Sequence, residues 1–505
     1  MSTPDLAHDN KAAHSYASIL RSSAIMGASF AAVIVLSFVR MKVMALLVGP
    51  SGVGLLGILS TILDLCVAIA GLGLQQSGVR QVAAAGDDEI LRTRIAGTLT
   101  WLSLGLGVIG AILLLLMALP IAQLSFGSEH YVGAVSLLAL ALLLRVVTGA
   151  RVAFLQGARR IATLAQINIL AAFVSTAISV PLVFIWREQA VAPVVVVIAA
   201  ATALVTWSLG GGPRGLRRPP MPVIVREGRD LVNLGLVFMA STLLTAASAY
   251  LARIAIVQHA GIESAGLFQA AWAVGVLYSG FILQAMGSDF YPRMSALSGD
   301  DAAANRLVNE QMRVSILISA PGVLGTITLA QLVMHLFYAA EFETAATTLR
   351  WISLATFLQT LAWPVGFILL AKGARRPFFW LEASSTSLQV ALAFLLVPHF
   401  GHEGAGMAFC LMYLSHTTAA TYLANRASGF RWSRANLAFA AIYLTLICAV
   451  FVAFPMLGTE AGIVFGSVVT VVAGFVSLWS LTRLLPAESI PSRLRPVLRR
   501  SRAQG

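Results

Sequence analysis

Charge is what this sequence has least of. Only 11% of its 505 residues are Asp, Glu, Lys or Arg, and lysine occurs three times, at Lys11, Lys42 and Lys372. Soluble domains carry about a quarter of their residues charged, so a soluble multidomain protein is excluded. The three lysines precede Ala12, Val43 and Gly373, so no Gly-Lys-Ser/Thr phosphate loop exists and the chain is not an ordinary P-loop ATPase. Cysteine is nearly as scarce. Cys66, Cys410 and Cys448 fall in apolar runs without paired or ligand-like spacing, which points to core packing rather than to disulfides or zinc. His402-Glu403 lacks a second histidine at metalloprotease spacing. No metal site, catalytic residue or bound cofactor is expected.

What the chain has is hydrocarbon: 58% of its residues are hydrophobic and the mean hydropathy is +0.85. Runs of ~20 apolar residues, enough to cross ~30 Å of lipid as helix, lie near 23–47, 54–78, 96–118, 131–150, 162–185, 190–209, 231–257, 263–287, 312–337, 346–371, 377–398, 404–424, 436–455 and 461–482. The expectation is an all-α polytopic membrane protein with about 14 transmembrane helices. Basic residues test this independently, since cytoplasmic loops keep Lys and Arg while short outer loops lack them. With the N-terminus inside, the inner loops and both tails, with Arg313 at the inner edge of its run counted among them, hold 28 of the 34 basic residues, and the outer loops hold one, Arg187. A multi-pass membrane protein with both termini in the cytoplasm is expected. The net charge of +13 is a by-product of that topology, and a nucleic-acid partner is not needed to explain it. About twenty polar residues precede the first run without a small-residue cleavage site, so that run is expected to be an uncleaved anchor.

The chain also repeats itself. Arg40 and Arg253, and Arg80 and Arg293, stand 213 positions apart, as do Gly86-Asp87-Asp88 and Gly299-Asp300-Asp301. A one-residue gap sets Gly49 and Gly54 on Gly261 and Gly266, and a three-residue drift sets Gly157-Ala158-Arg159-Arg160 on Gly373-Ala374-Arg375-Arg376. Six spans in each repeat give two parallel, pseudo-symmetric six-helix lobes. The expected divisions are a cytoplasmic N-terminal tail over 1–22, a first lobe over 23–209, a breaker-rich cytoplasmic linker over 210–230 and a second lobe over 231–424. Two appended helices over 436–482 and a basic cytoplasmic tail over 483–505 follow. The tail's arginines suit contact with anionic lipid. The Asp-Asp pairs read as helix starts.

A charge at the bilayer centre costs about 2.5–3.5 kcal/mol on the insertion scale, so basic residues inside spans must be paired, snorkelled or facing a wet cavity. There are five: Arg40, Lys42, Arg145, Arg253 and Arg350. Arg40 and Arg253 are repeat equivalents in the first helix of each lobe. Lys42 is two positions from Arg40, about 200° around the helix, so both cannot face one cavity. Arg145 and Arg350 sit in the fourth helix of their lobes at different depths. Asp64 and Glu382 are the acidic complement, candidates for proton or sodium coupling, and Asp64 is deep enough in the second span to meet Arg40. Five basic residues against two acidic favour an anionic ligand, and arginine's planar fork suits phosphate. Gln75, Gln76, Gln166, Asn168, Gln269, Gln284, Gln359 and Gln389, with Trp272 and Trp363, are the intramembrane polar and indole groups available to a hydroxyl-rich sugar.

The stretch Val39-Arg40-Met41-Lys42-Val43 through Leu47-Val48-Gly49-Pro50-Ser51-Gly52-Val53-Gly54-Leu55, then Ala70-Gly71-Leu72-Gly73 and Ser77-Gly78-Val79-Arg80, resembles the N-terminal signature of the O-antigen flippases. These form the polysaccharide transporter branch of the multidrug/oligosaccharidyl-lipid/polysaccharide exporter superfamily. Gly266-Leu267-Phe268-Gln269-Ala270 through Asp289-Phe290-Tyr291-Pro292-Arg293 is similar to the same family's seventh-to-eighth helix region. The resemblance is strongest over 35–85, moderate over 250–300 and diffuse elsewhere, and many members have twelve helices where fourteen are counted here. It implies alternating access around a central cavity and transfer of an undecaprenyl-diphosphate-linked oligosaccharide from the inner to the outer leaflet, for O-antigen or exopolysaccharide synthesis. Expected protein partners are the polysaccharide polymerase and glycosyltransferases of that pathway. Two other classes were weighed. A multidrug exporter would want acidic residues for cationic drugs, and a membrane polysaccharide polymerase or ligase would want a sizeable outer loop.

The charge split makes a direct prediction. In a background without native cysteines, a cysteine at Thr459 should react with a membrane-impermeant thiol reagent added to intact spheroplasts, and one at Ala158 should not. Labelling of the second from outside would contradict the topology.

Overall fold

A computed structural model describes residues 3–86, 88–210, 220–297 and 299–484. Side chains of residues up to 26, of 278, 279, 281–289, 291 and 292, and of 484 are not described. Most of the linker (211–219), the basic tail from 485, Asp87, and the side chains of the N-terminal tail and of Gln284 therefore lie outside the described residues. The described chain is helical, with no strand. Its helices are α1 (Thr3–Ala70), α2 (Leu74–Ala84), α3 (Glu89–Leu116), α4 (Ala118–Phe126), α5 (Val132–Gly157), α6 (Ile161–Trp186), α7 (Val191–Leu209) and α8 (Met221–Ala296). There follow α9 (Asp301–Thr328), α10 (Ala330–Phe337), α11 (Ala346–Ala371), α12 (Arg375–Phe400), α13 (His402–Ser428), α14 (Arg434–Leu457) and α15 (Thr459–Leu484).

All fourteen apolar runs are helical, three of them across a break, at 71–73, Met117 and Leu329, and two pairs of runs are continuous. α1 breaks at Gly49 (φ 63°, ψ −167°) and α8 at Gly261 (φ 86°, ψ 170°). At 1.5 Å per residue, 68 residues of straight helix would measure roughly 100 Å, about three times the hydrocarbon thickness, so the chain must turn back at the glycine. That backbone region is open essentially to glycine alone. Among the described residues, nine helical segments are long and apolar enough to cross a membrane, ten with α9 and α10 joined across their 76° bend. Three of the nine, 27–70, 161–209 and 221–277, each hold two of the expected spans, and α13 supplies the remaining one. Lipid-facing surfaces expose rows of large apolar side chains such as Ile109, Ile112, Leu113, Phe184, Val468 and Phe475. A patch of this extent has no place in water.

The repeat is more regular in the structure than in the sequence. α3 and α9 each run 28 residues from an aspartate cap, Asp88 accepting from the Leu91 amide and Asp300 from the Ala303 amide, both at 2.9 Å. Each then breaks, at Met117 and Leu329, into a short helix. These features are 212 positions apart. α5 and α11 each have 26 residues, as do α6 and α12, and these begin 214 positions apart. The left-handed residues ending α5 and α11 are Arg159 (φ 55°) and Gly373 (φ 66°), and those after α6 and α12 are Arg187 (φ 47°) and Gly401 (φ 55°). The sequence match at Gly157-Ala158-Arg159-Arg160 was thus two residues out of register, because the second copy places glycine at the left-handed position where the first has arginine.

By contact, the chain forms one compact unit through Gly266, with Phe337–Ala339, and a second from Leu267 onward. The first arm of α8 thus packs with α1–α7. Glu227 joins it to α3 through Arg94 (2.5 Å) and Thr98 (3.0 Å), and Tyr250 meets Ser125 at 2.7 Å in a buried bond. Backbones also touch directly. A Cβ at Gly266 would collide with the Pro50 carbonyl, one at Gly54 with the Ile262 carbonyl, and Gly73 and Gly235 exclude each other's Cβ in the same way. In the second unit, α11 packs on α13 and α9, while α15 and α14 lie on α9.

Gly266→Ala puts a methyl into backbone that cannot swing aside, and should lower the yield of folded protein and its melting temperature, by about 2 kcal/mol or more in stability. Ala at Gly105, exposed inside α3 with open space around its Cβ position, should lower neither, since it gains up to about 1 kcal/mol of helix propensity.

Candidate functional site

The polar residues of the first unit converge on one cavity of about 390 Å³. Helical spacing explains how. Thr61, Asp64, Ala68 and Gly71 form one stripe on the second arm of α1, and Thr242, Thr245, Ala246 and Ala249 form another on the first arm of α8, each at i, i+3 and i+4 steps. Gln75 and Gln76 from α2, Ser103 from α3 and Arg145 from α5 complete the polar lining. Gly71, Gly73 and Gly149 leave parts of the wall as bare backbone.

Inside the cavity, Arg145 Nη1 donates to Asp64 Oδ1 at 2.6 Å, with the two side chains 41% and 51% exposed. An ion pair that wet contributes about 0–1 kcal/mol to stability, too little to account for two charges placed at this depth. It is, however, easily exchanged. A charge-assisted hydrogen bond to a better-placed anion is worth about 1.5–3 kcal/mol, so a phosphate can compete with Asp64 for the guanidinium. One face of α8 continues from Ala249 to Arg253, which is 6% exposed and donates to the Ala249 carbonyl at 3.1 Å. The Asp64 charge reaches it as well. Asp64 and Arg145 are therefore the charges of the cavity wall, with Arg253 buried outside it but within reach of the Asp64 charge.

The structure separates the other candidates from this group. Arg40 does not meet Asp64. Its Nη1 donates to Ser175 Oγ of α6 at 3.1 Å, and it is absent from the cavity wall. Depth gives the reason. Arg40 lies nine residues before Gly49 and Asp64 fifteen after it, about 13 and 22 Å along their arms, whereas Arg145 lies about 20 Å into α5, counted from the same membrane side. Arg40 and Arg253 also differ by one residue in distance from their glycine breaks, which turns them about 100° apart around the helix. Lys42 is half-buried and likewise outside the cavity wall. Arg350 is 7% exposed, donates through Nε to the Ile327 carbonyl at 3.2 Å and lies 3.6 Å from the Phe454 ring centroid, with Glu403 in electrostatic reach. It ties α11 to α9 and α14.

The repeat also shows what is unequal. At the 214-position offset Arg145 corresponds to Gln359, and at the 212-position offset Asp64 corresponds to Val276, so the second unit has no copy of the ion pair. It has a polar network instead. Gln359 Nε2 donates to the Tyr413 hydroxyl at 2.7 Å, the His416 ring stacks edge-on to Tyr413 at 5.8 Å, and His416 bonds through Nδ1 to Ser385 Oγ at 2.9 Å. His416 Nε2 is 4.0 Å from Glu382 Oε1. Glu382 and Gln359 are expected from the sequence, whereas His416 is not. The signal was available as two i, i+3 polar pairs, Glu382 with Ser385 and Tyr413 with His416, on helices adjacent in the chain.

Two halves with matching helices and the same glycine breaks, and a polar cavity in the first, define an all-α multi-pass membrane protein built on a duplicated bundle. A solved lipid II flippase, MurJ, in an inward closed conformation superposes with a TM-score of 0.69 at 12% identity, covering 91% of this chain and 98% of that one. An inward-facing multidrug resistance MATE family transporter of the MOP superfamily superposes at 0.63 with 16% identity, covering 79% and 94%. In sequence, the chain is 24% identical over 383 residues to the lipid III flippase of Escherichia coli (strain K12), across 74% of this chain and 90% of the relative. The chain belongs to the polysaccharide biosynthesis protein family, whose sequence model matches residues 43–347. The resemblance read from residues 35–85 and 250–300 is thus confirmed.

The two arginine environments predict opposite phenotypes. Arg350→Gln should lower the melting temperature of the purified protein, at a cost of about 2 kcal/mol or more, because Phe454 and the Ile327 carbonyl lose a buried partner. Arg145→Gln should leave stability within about 1 kcal/mol of the parent.

Proposed function

We propose that this protein is a flippase that carries an undecaprenyl-diphosphate-linked oligosaccharide from the inner to the outer leaflet of the bacterial cytoplasmic membrane, by alternating access, for O-antigen or exopolysaccharide synthesis, with both termini in the cytoplasm. The observation that carries the reading is the Asp64–Arg145 pair in a polar cavity. Arg145 and Arg253 take the diphosphate. Gln75, Gln76, Ser103, Thr242 and Thr245 offer hydroxyl and amide partners to the first sugar, and the polyprenyl chain stays in lipid. Stripping such a headgroup of water without partners costs several kcal/mol per polar group, so unaided flipping is slow. Family membership and the similar lipid III flippase support the substrate class.

The pair also supports a reading of the coupling at this site. A proton on Asp64 frees Arg145 for the diphosphate, so that proton travels outward with the substrate and gains nothing from an inward-directed proton gradient. The diphosphate's negative charge, in contrast, moves down a potential that is negative inside, at about 2.3 kcal/mol per charge per 100 mV. The membrane potential is therefore the driving force this cavity can use. An inward proton or sodium ion would bind elsewhere, and Glu382 with His416 is the place in the second unit built for it.

Reconstituted into liposomes with a fluorescent lipid-linked oligosaccharide, Arg145→Gln and Arg253→Gln should each slow flipping by roughly tenfold or more, the equivalent of one lost charge-assisted bond. Arg145→Lys should recover part of the rate, since it keeps the charge and loses the two-pronged geometry. Full activity in both Gln variants would overturn the assignment.

A further inference from the structure

The second unit has a polar cavity of its own, where the first turns of α9 meet the start of α14. It measures about 650 Å³ and is lined by Asn305, Arg306, Asn309, Glu310, Arg313 and Asn436, among others. Its base is rigid. Asn305 Nδ2 donates to the Ser428 carbonyl at 2.8 Å, Asn309 Nδ2 to the Arg431 carbonyl at 3.1 Å, and the Ser433 amide to Asn309 Oδ1 at 2.8 Å. Asn436 Nδ2 donates to the Asn309 carbonyl at 2.7 Å. Two asparagines one turn apart thus clamp the loop between α13 and α14 against α9.

Above that base the charges are strongly one-sided. Arg306 and Arg313 stand two turns apart on one face of α9, with the Arg313 guanidinium 5.7 Å from the Phe439 ring centroid. Arg431 and Arg434, both exposed, flank Ser433. Glu310 is the single carboxylate in the wall, and Asp301 at the start of α9 is engaged by Lys372. The charge split of the sequence puts this end of α9 and α14 on the cytoplasmic side, and the apolar lengths of both helices begin within about two turns of it.

We propose that this cavity is a binding site for the headgroup of an anionic glycerophospholipid from the cytoplasmic leaflet. The phosphodiester lies between Arg306 and Arg313, Arg434 adds positive field, and the acyl chains run along the apolar flanks of α9 and α14. A basic pocket between helices at the cytoplasmic interface matches the chemistry of such lipids. Occupancy braces the two appended helices on the second unit, a role separate from the transport cavity and independent of its substrate. Glu310 opposes the bound anion and limits affinity.

The test is a thermal-shift titration of the purified full-length protein in detergent with phosphatidylglycerol, phosphatidylcholine or inorganic phosphate. Phosphatidylglycerol should raise the melting temperature by roughly 3 °C or more at saturation, and the other two by less than half as much. The Arg306→Gln/Arg313→Gln double variant should lose at least half of the phosphatidylglycerol shift, while Glu310→Gln should enlarge it. Equal shifts from phosphatidylcholine would overturn the anionic headgroup, and equal shifts from inorganic phosphate would overturn the lipid. An undiminished shift in the double variant, or a smaller one in Glu310→Gln, would overturn the location.

Discussion

The cost of placing charge in hydrocarbon governs this protein. A chain with so few charged residues keeps almost all of them in segments that meet water, and several of the exceptions have a visible reason. Asp64 and Arg145 face a wet cavity, Arg350 is held by an aromatic ring and a carbonyl, and Arg40 reaches a serine on the neighbouring helix. Of these, only the Asp64–Arg145 pair is both accessible and weak enough to be exchanged for a ligand. The proposed function rests on that difference.

Duplication supplies the scaffold, and divergence supplies the chemistry. Matching helix lengths, aspartate caps and glycine breaks recur in the two copies, because each is dictated by the same local rules of capping and chain reversal. The interior side chains are not repeated. Arg145 has Gln359 as its counterpart, so the first unit carries an ion pair and the second a network of Gln359, Tyr413, His416 and Ser385. One copy is thus suited to a polyanion and the other to uncharged groups or a small cation.

The fold was largely legible because apolar length and loop charge are one-dimensional signals. All fourteen runs became helix, and Gly49 and Gly261, matched in sequence, both proved to be backbone breaks. Side-chain pairing was less legible because it depends on depth and rotation together. Arg40 and Asp64 looked compatible when each was counted from its own helix end, yet they differ by about 9 Å along the membrane normal when both are counted from Gly49 at 1.5 Å per residue. Arg40 and Arg253 differ by a single residue in distance from their glycine breaks, which turns the two side chains about 100° apart around the helix. His416 went unseen because a lone histidine in an apolar helix carries no signal until Ser385 and Glu382 are placed beside it.

The exchange of Asp64 for a phosphate at Arg145 can be measured at equilibrium, apart from transport. Removing the Asp64 charge while keeping its shape leaves Arg145 without its internal anion, so the Asp64→Asn protein should hold the lipid-linked diphosphate several-fold more tightly than the parent and release it more slowly. The most direct measurement is the dissociation constant of the two proteins for that lipid in the same detergent and buffer. A clear gain in affinity for Asp64→Asn is the result the account predicts. An unchanged or weakened affinity would mean that Asp64 positions Arg145 rather than competing for it, and would contradict the account.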